Sequence, residues 1–410
     1  MPLLVDAERL WRSLMDMAEL GALPHGGCCR TALSPADKSG RDLFVHWCRE
    51  AGCEVAIDQV GNIYARRPGR DNNRPSVATG SHLDTQPHGG KFDGIYGVLA
   101  GLEVVRALND GGVETTAPLD VIVWTNEEGV RFSPPLAGSS VAAGKFSVPF
   151  IHAAVTLDGT TVLEDLEAIG YLGEEIPGAR TFDCFVEAHI EQGPLLEAAD
   201  RTIGVVTRVQ GIRWSRVSVT GQDGHAGTTP MDRRRDALLG AAKMVVALNQ
   251  MAREEDDLAR LTVGRLEISP NSGATIPGKA VFVVDCRHPE TTTLDRLDEE
   301  MRRLVLSIAQ ADGLEVEIER TINAQPVPFD DVLIDGVRRS ATRLGYSHMD
   351  MVSGAGHDAM NIATLAPTTM IFVPCKDGIS HNEAESAKPS DLAAGAHVLL
   401  HTLLERTGVV

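Results

Sequence analysis

The sequence predicts an α/β protein: a main domain on a mainly parallel sheet, with a smaller ferredoxin-like α+β domain inserted into it. Its 410 residues exceed the roughly 250–300 at which a single hydrophobic core stops growing, so two domains are expected. Short β-rich runs alternate with a helical pattern in the first part, as in a sheet covered by helices on both faces. The middle of the chain follows the order β-α-β-β-α-β, which is the ferredoxin-like split unit.

The first part of the chain contains the predicted elements of the main domain. Residues 1–21 have the pattern of an amphipathic helix, and residues 41–57 that of a helix followed by a strand. Residues 76–81 and 119–125 are β-rich runs that end in polar residues. Between them, residues 94–110 repeat apolar side chains at three- and four-residue steps, as a helix that packs on a sheet does.

The middle of the chain contains four strand-like and two helical patterns. The strand-like patterns cover residues 212–220, 261–268, 280–286 and 314–321, and the helical patterns cover residues 233–252 and 293–311. A turn rich in Gly, Pro and Asn joins the second and third strands. We therefore place the inserted domain at residues 212–326 and the main domain at residues 1–211 and 327–410.

The composition excludes several classes of partner. The formal net charge is −19, and nucleic acids and anionic membranes are polyanions that such a protein repels. No apolar run reaches the ~18–20 residues that span a bilayer, and the start of the sequence lacks the pattern of a signal peptide. The seven cysteines form no CxxC pair, which disfavours a disulfide framework and a thiolate zinc site. We expect reduced thiols and a cytoplasmic protein.

The segment GSHLDTQPHGGKFDG, residues 80–94, contains the first candidate ligands. His82 and Asp84 lie two positions apart after a predicted strand, so their side chains project from the same side of the chain. Asp93 lies at the end of the glycine-rich loop, where the next helix begins. A histidine and carboxylates that come together here can bind a divalent cation. A helix N-cap role for Asp93 in a polar loop is an equally good interpretation.

The segment TNEEGVRF, residues 125–132, follows a predicted strand. Its adjacent carboxylates Glu127 and Glu128 point in different directions, so one can ligate a metal while the other takes a proton from the attacking water. Such a pair is most often a solvated surface feature. Its position at the end of an apolar strand, where open α/β sheets place their ligand sites, favours the functional interpretation.

Two further histidines, His189 and His381, follow strand-like runs, and either one alone would most often be structural. Taken together, the candidate metal ligands are His82, Asp93, Glu128, His189 and His381. Five ligands exceed the need of one catalytic zinc ion, and with Asp93 as a bridge they suit two ions roughly 3.5–4 Å apart. Imidazole and carboxylate ligands favour Zn²⁺, with Mn²⁺, Co²⁺ or Ni²⁺ as alternatives.

Six motifs in a fixed order carry a family resemblance. They are GSHLDTQPHGGKFDGIYGVLAGLEV, TNEEGVRF, HIEQGP, GHAGTTPM, SGAGHDA and ISHNEAE. This set resembles the amidase/carbamoylase branch of the aminoacylase-like dinuclear metallopeptidase superfamily. Within that branch it is most similar to N-carbamoyl-L-amino-acid hydrolases and the related β-ureidopropionases, with allantoate amidohydrolases as a sister group. The resemblance covers essentially the whole chain and implies a catalytic α/β domain with an inserted dimerisation or lid domain.

The resemblance also implies roles for single residues. The five candidate ligands match the metal ligands of the family, with Asp93 as the bridge. Glu127 matches the general base, and Asp84 matches the partner that orients His82. His225 of GHAGTTPM matches a histidine that stabilises the oxyanion in the active site of the partner subunit, which implies a homodimer. For His225, an ordinary loop histidine is the alternative interpretation.

The residues that the resemblance assigns to substrate binding are Gln192, Asn271 and Arg287. His357 of SGAGHDA is a further candidate for the substrate site, although a supporting or structural role is favoured for it. Arg287 would bind the substrate carboxylate, because a guanidinium can grip both of its oxygens. Asn271 and Arg287 would complete the site of the partner subunit together with His225. The alternatives are a turn residue for Asn271, an interface salt bridge for Arg287, and a structural role for His357.

We therefore expect a hydrolase that cleaves the carbamoyl C–N bond of an N-carbamoyl-L-α-amino acid or of N-carbamoyl-β-alanine, with amino acid, carbon dioxide and ammonia as products. The alternatives are an allantoate or ureidoglycolate amidohydrolase, an N-acyl-amino-acid deacylase or dipeptidase, and a non-catalytic binding protein. Peptidases of the superfamily commonly use an acidic ligand where this sequence has His189, which favours the amidase. A binding protein would have lost a ligand or Glu127, and all of these residues are present.

Overall fold

The chain folds into two compact units. The computed structural model describes residues 2–409. The main unit contains Met1–Thr207 together with Phe329–Val410, and the inserted unit contains Arg208–Pro328. The boundaries expected from the sequence are near residues 212 and 327.

The helices and strands of both units are numbered in chain order. The helices are α1 (Ala7–Ala18), α2 (Pro35–Glu50), α3 (Ile95–Asp110), α4 (Ala137–Ala142), α5 (Val148–His152), α6 (Val162–Ile169), α7 (Leu195–Ala198), α8 (Ala237–Arg253), α9 (Thr291–Ala311), α10 (Asp331–Leu344), α11 (Ala359–Ile362) and α12 (Pro389–Thr407). The strands are β1 (Glu54–Ile57), β2 (Ile63–Arg67), β3 (Ser76–His82), β4 (Leu119–Trp124), β5 (Phe182–Ile190), β6 (Ile203–Val209), β7 (Gly211–Thr220), β8 (Gly224–His225), β9 (Arg260–Ser269), β10 (Thr275–Ile276), β11 (Lys279–His288), β12 (Glu315–Ala324), β13 (Val327–Pro328), β14 (His348–Ser353) and β15 (Thr368–Val373). Short 3₁₀ turns lie at Met231–Arg233 and Lys376–Gly378. Among residues 2–409, no helix has both the length and the apolar character needed to cross a membrane.

The sheet of the main unit has parallel strands at its centre. Its order is β1-β2-β4-β3-β5-β15-β6, and the pairs β4–β3, β3–β5 and β5–β15 are parallel. Strands β1 and β2 on one side and β6 on the other are antiparallel. Every residue of β3 and β4 is buried, because helices that include α3 pack against these strands. The predicted α/β fold is confirmed, with its parallel strands in the centre of the sheet.

The inserted unit is an antiparallel sheet covered by two helices. Its strand order is β12-β7-β11-β9. Buried residues alternate with more exposed ones along β11, so one face of the sheet is apolar. Val217 and Phe282 on that face belong to one apolar core with Met244 of α8 and Met301 of α9. This order of elements confirms the predicted ferredoxin-like α+β domain.

Candidate metal centre

The candidate ligands of the main unit lie where the parallel strands end. His82 is the last residue of β3, and His189 is the last but one of β5. Glu127 and Glu128 follow β4, and His381 follows β15. The carboxyl ends of parallel strands meet at one edge of a sheet, where α/β proteins place their ligand sites.

The first ligand group consists of His82, Asp93 and His189, whose candidate ligand atoms all lie within 4.8 Å of one another. Oδ1 of Asp93 lies 3.2 Å from Nε2 of His189 and 3.9 Å from Nε2 of His82. The ring of His82 packs closely on Gly94, since a Cβ atom at Gly94 would lie 2.3 Å from the ring. Gly94 has a φ of +73°, so both the contact and the backbone conformation require glycine there.

The second ligand group consists of Asp93, Glu128 and His381, again with all ligand atoms within 4.8 Å. Oδ2 of Asp93 lies 3.1 Å from Nε2 of His381, which lies 3.5 Å from Oε2 of Glu128. His381 has a φ of +53° and is exposed, whereas Asp93 is buried. Asp93 therefore belongs to both groups and turns one carboxylate oxygen toward each.

Main-chain carbonyl groups fix the rings of the two buried histidines. Nδ1 of His82 donates to the carbonyl of Asp84 at 2.8 Å, and Nδ1 of His189 donates to the carbonyl of Ile190 at 2.8 Å. The Nε2 atoms of the two rings are the ones near Asp93, and Nε2 of His189 also accepts the N–H of Gly94 at 3.2 Å. A carbonyl partner on the second ring nitrogen is the arrangement that metal-ligating histidines generally need.

The carboxylate of Asp84 differs from its predicted position. It accepts the main-chain N–H groups of Glu127 at 3.3 Å and Glu128 at 3.2 Å, whereas His82 is oriented by the main-chain carbonyl of Asp84. Burial, with the nearby charge of Asp37, raises the pKa of Asp84 to about 7. The predicted link from this carboxylate to His82 is therefore corrected: the carboxylate holds the segment that carries the two glutamates.

The two adjacent glutamates serve different ligand groups. Oε2 of Glu127 lies 3.6 Å from Nε2 of His82 in the first group. Glu128 lies in the second group and accepts a hydrogen bond from Gln86 Nε2 at 2.6 Å. Burial, with the charge of Asp358, raises the pKa of Glu127 well above its ordinary value. The carboxylates at this edge thus repel one another and favour a bound cation.

Gln192 lies at the second ligand group. Its Nε2 donates to Oδ2 of Asp93 at 2.9 Å and lies 3.4 Å from Nε2 of His381. Its φ of +58° turns the side chain toward the loop after β15. In this structure Gln192 supports the carboxylate of Asp93 that the two groups share, and a substrate contact of Gln192 stays a prediction.

His357 lies behind the first ligand group. It is 2% exposed, its ring packs edge-on against His189 with centroids 4.5 Å apart, and its Nε2 lies 3.0 Å from Oγ of Ser353. Burial lowers the pKa of His357 well below its ordinary value, so the ring is neutral. In this structure the buried ring supports His189, and a contact of His357 with the substrate stays a prediction.

Two buried glutamates near the ligands were missed by the sequence analysis. Glu187 accepts hydrogen bonds from Ser81 Oγ at 2.6 Å and from the N–H of Ala359 at 3.0 Å. Glu385 accepts hydrogen bonds from the N–H groups of Phe92 and Asp93. The available signal was an acidic residue inside an otherwise apolar strand run for Glu187, since such residues are seldom fully buried without a partner. For Glu385 the signal was a second acidic residue in ISHNEAE.

The remaining candidates lie in the inserted unit. His225 is exposed, and its Nδ1 accepts the N–H groups of Gly227 at 3.0 Å and Thr228 at 3.2 Å. Asn271 is exposed, with a φ of +53°. Arg287 on β11 donates from Nε and Nη2 to the carboxylate of Asp285 at 2.9 and 2.8 Å. The structure thus places these three residues in one unit and the metal-ligand candidates in the other.

The ligand groups fit a pair of divalent ions. Each group offers three nitrogen or oxygen donors, and Asp93 is common to both. Burial, with the charge of Asp93, raises the pKa of Glu128 to about 8, because a neighbouring carboxylate disfavours its charged form. Imidazole and carboxylate donors suit Zn²⁺, Mn²⁺, Co²⁺ and Ni²⁺.

Comparisons with known proteins show the family of the chain. Residues 78–405 match the family described as Peptidase family M20/M25/M40. The chain belongs to this family. The N-carbamoyl-L-amino-acid amidohydrolase of Rhizobium meliloti is 46% identical, over 99% of this chain and 98% of that protein. The crystal structure of an amidase of the hydantoinase/carbamoylase family from Burkholderia multivorans is 51% identical, with a TM-score of 0.96 over 99% of this chain and 98% of its own.

A more distant relative within the same comparison is the allantoate amidohydrolase of Escherichia coli strain K12, at 32% identity over 93% of this chain and 94% of that protein. The predicted resemblance to the carbamoylase branch is therefore confirmed. Members of the M20/M25/M40 family use a dinuclear divalent metal site. Two ligand groups with one shared aspartate provide the donors for such a site.

Proposed function

We propose that this member of the M20/M25/M40 family hydrolyses the carbamoyl C–N bond of N-carbamoyl-L-amino acids. The observation that supports this most is the pair of ligand groups that share Asp93, with Glu127 beside the first of them. The relative that carries this activity in its name is 46% identical, whereas the allantoate amidohydrolase is 32% identical. This difference favours carbamoyl amino acids over allantoate as the substrate.

The proposed cofactor is a pair of divalent ions, with Zn²⁺ as the first candidate and Mn²⁺, Co²⁺ or Ni²⁺ as alternatives. His82, Asp93 and His189 would hold one ion, and Asp93, Glu128 and His381 would hold the other. When bound, the ions would polarise the ureido carbonyl and lower the pKa of the attacking water.

Glu127 is proposed to move the proton of the reaction. Its carboxylate lies 3.6 Å from Nε2 of His82, and burial raises its pKa well above the ordinary value, which increases its affinity for a proton. Glu127 accepts a proton as water attacks the ureido carbon. It then donates that proton to the nitrogen of the amino acid as the C–N bond breaks. The carbamic acid that is released decomposes to carbon dioxide and ammonia.

His225 is proposed to stabilise the oxyanion in the partner subunit. Because Nδ1 of His225 accepts two main-chain N–H groups, the neutral ring carries its proton on Nε2. That nitrogen is then a hydrogen-bond donor with a fixed direction, as an oxyanion hole requires. One such donor is worth about 2.7–4 kcal/mol in other oxyanion holes.

Arg287, Asn271 and Gln192 are proposed to bind the rest of the substrate. The ion pair with Asp285 holds the guanidinium of Arg287 in a defined orientation on β11, and a guanidinium has five N–H donors for several acceptors. A substrate carboxylate is a natural partner for such a fork. Asn271 and Arg287 would act in the partner's site together with His225.

A homodimer would also cover exposed apolar residues of the inserted unit. Strand β9 lies at an edge of its sheet, and its Leu266 is 46% exposed. Helix α8, which packs on β9, exposes 48% of Leu239 and 71% of Val246. An edge strand next to apolar helix residues is a common site of association.

We also propose a cytoplasmic location, because all seven cysteines are free thiols.

The substrate class can be tested by ammonia release from the Zn²⁺- or Mn²⁺-loaded protein. The panel contains N-carbamoyl-L-amino acids, N-carbamoyl-β-alanine and allantoate, and release of the free amino acid from N-acetyl amino acids and a dipeptide is followed in parallel. We expect turnover of the carbamoyl-L-amino acids. Turnover of allantoate alone would show that allantoate, and not a carbamoyl amino acid, is the substrate. Turnover of only acetyl or peptide substrates would contradict the reaction class.

The role of His225 can be tested by mixing two inactive variants. Glu127→Gln and His225→Ala chains are coexpressed with different tags, and the mixed dimer is purified. If His225 acts in the partner's site, one of the two sites in the mixed dimer has both residues intact, and activity returns. If His225 acts in its own chain, every site lacks one residue, and the mixed dimer stays inactive.

A further inference from the structure

Glu385 links the loop that carries Asp93 to the loop that carries His381. Its Oε1 accepts the N–H of Phe92 at 2.9 Å and the N–H of Asp93 at 3.2 Å. Its Oε2 accepts the hydroxyl of Ser380 at 2.9 Å. Ser380 directly precedes His381. One buried side chain, 5% exposed, thus contacts both the segment of Asp93 and the segment of His381.

The glycine-rich loop before Asp93 leaves space for this carboxylate. A Cβ atom at Gly90 would lie 1.9 Å from Oε1 of Glu385, so any side chain at position 90 would displace the glutamate. A third segment packs against both loops at Gly27, where a Cβ atom would lie 2.6 Å from the carbonyl oxygen of Gly89 and 2.7 Å from Cα of Glu383. Gly90 and Glu385 therefore form one contact, in which the missing side chain at position 90 leaves room for the glutamate.

Ser380 extends this contact to the carboxylate of Asp93. Its Oγ lies 3.1 Å from Oδ2 of Asp93 and 2.9 Å from Oε2 of Glu385, and it lies 3.2 Å from Nε2 of Gln192. A serine hydroxyl has only one hydrogen to donate, so the two carboxylates share one donor. The position of Glu385 consequently determines both the backbone of Asp93 and a polar neighbour of its Oδ2.

We propose that Glu385 is a positioning residue that holds Asp93 between the two ligand groups, so that both metal positions can be filled at once. The inference rests on the proposed dinuclear function. The supporting contacts around metal ligands commonly affect metal affinity by about 10–100-fold when they are removed.

The test is a Mn²⁺ titration of the metal-free full-length protein, followed by electron paramagnetic resonance. Two neighbouring Mn²⁺ ions give a spin-coupled spectrum, which differs from that of isolated ions. We expect Glu385→Ala to weaken binding of the second ion by about 10–100-fold and to remove the coupled spectrum at two equivalents. Glu385→Gln keeps an oxygen that can accept the N–H groups of Phe92 and Asp93, so it should restore most of the coupled spectrum.

Two further variants keep the test independent of folding. Gly90→Ala leaves Glu385 in the sequence but displaces it, so it should reproduce the effect of Glu385→Ala. Glu103→Gln is the matched control, because Glu103 is a buried carboxylate of helix α3 that pairs with Arg9 at 2.7 Å. It should leave the coupled spectrum unchanged. Wild-type Mn²⁺ affinity and spectrum in folded Glu385→Ala and Gly90→Ala would overturn the proposal.

The wild-type titration separates this inference from the proposed function. A wild-type protein that binds two coupled ions while the variants behave like it would overturn only the role of Glu385. A wild-type protein that binds a single ion would contradict the dinuclear function, and the role of Glu385 would be overturned with it.

Discussion

The carboxyl edge of the main sheet and the core of the inserted unit are built from opposite kinds of side chain. The edge buries Asp84, Glu127 and Glu385, and burial raises the pKa of all three carboxyl groups. The core of the inserted unit is an apolar cluster that includes Phe282 and Met301. Buried carboxylates destabilise a fold unless they have partners or cations, whereas apolar burial stabilises it. Charge is therefore buried where the proposed chemistry needs it.

This contrast explains how much of the protein could be predicted. The fold follows from apolar periodicity and from strand ends, which are local features of the sequence, so the element order and the ligand-bearing edge were predictable. The partners of the ligands are not local: Glu385 contacts the N–H of Phe92, 293 positions away. The correction at Asp84 and the supporting place of His357 have the same cause. Sequence spacing does not distinguish a carboxylate from a main-chain carbonyl as the partner of His82, nor does it show that a ring is covered on all sides.

The largest expected effect in the inserted unit follows removal of a core ring. Phe282 is fully buried in its apolar cluster, so Phe282→Ala should lower the local free energy of unfolding by about 3–5 kcal/mol. Hydrogen exchange of β7 and β11 in the intact protein measures this change. Leu306→Ala on α9, at a side chain that is 54% exposed, is the control. Equal effects of the two variants would show that the apolar core does not stabilise this unit.

At the carboxyl edge, the largest expected effect is on rate and not on stability. Glu127→Gln keeps the size of the side chain but removes its proton affinity, so kcat should fall by about 10²–10⁴-fold. Metal content and melting temperature should stay near those of the wild type. Elemental analysis, calorimetry and ammonia release on the same preparation measure the three quantities. Near-normal turnover in the metal-loaded variant would remove Glu127 from the mechanism.

A smaller effect is expected for Arg287, the residue of the inserted unit that is proposed to bind the substrate carboxylate. Arg287→Ala should raise KM for N-carbamoyl amino acids by about tenfold or more, equivalent to at least about 1.4 kcal/mol, with a smaller change in kcat. Arg302→Ala is the matched control, since Arg302 also pairs with an aspartate, Asp298 at 3.2 Å. If KM is the same in both variants, the pair between Arg287 and Asp285 is structural only.

The smallest effect is expected for an ion pair on the surface of the main unit. Arg338 donates to Asp350, and this hydrogen bond lowers the pKa of Asp350. A carboxyl group whose pKa is lowered by folding stabilises the protein above its unfolded pKa, and this contribution is lost as pH falls through the folded pKa. Because the pair is partly exposed, it should contribute at most about 1 kcal/mol.

The check on this pair is the difference in melting temperature between the wild type and Asp350→Asn from pH 7 down to pH 3. That difference should be small at pH 7 and should shrink as the pH falls. A difference that grows toward low pH would show that Asp350 does not owe its lowered pKa to a stabilising pair.

Two ions held around Asp93 are proposed to enable carbamoyl hydrolysis, and a titration of activity with metal tests this proposal. Metal-free protein is titrated with Mn²⁺ while ammonia release from an N-carbamoyl-L-amino acid is measured. We expect ammonia release to rise until two equivalents of Mn²⁺ per chain are bound. Full activity at one equivalent, or no release at any Mn²⁺ concentration with any carbamoyl amino acid, would contradict it.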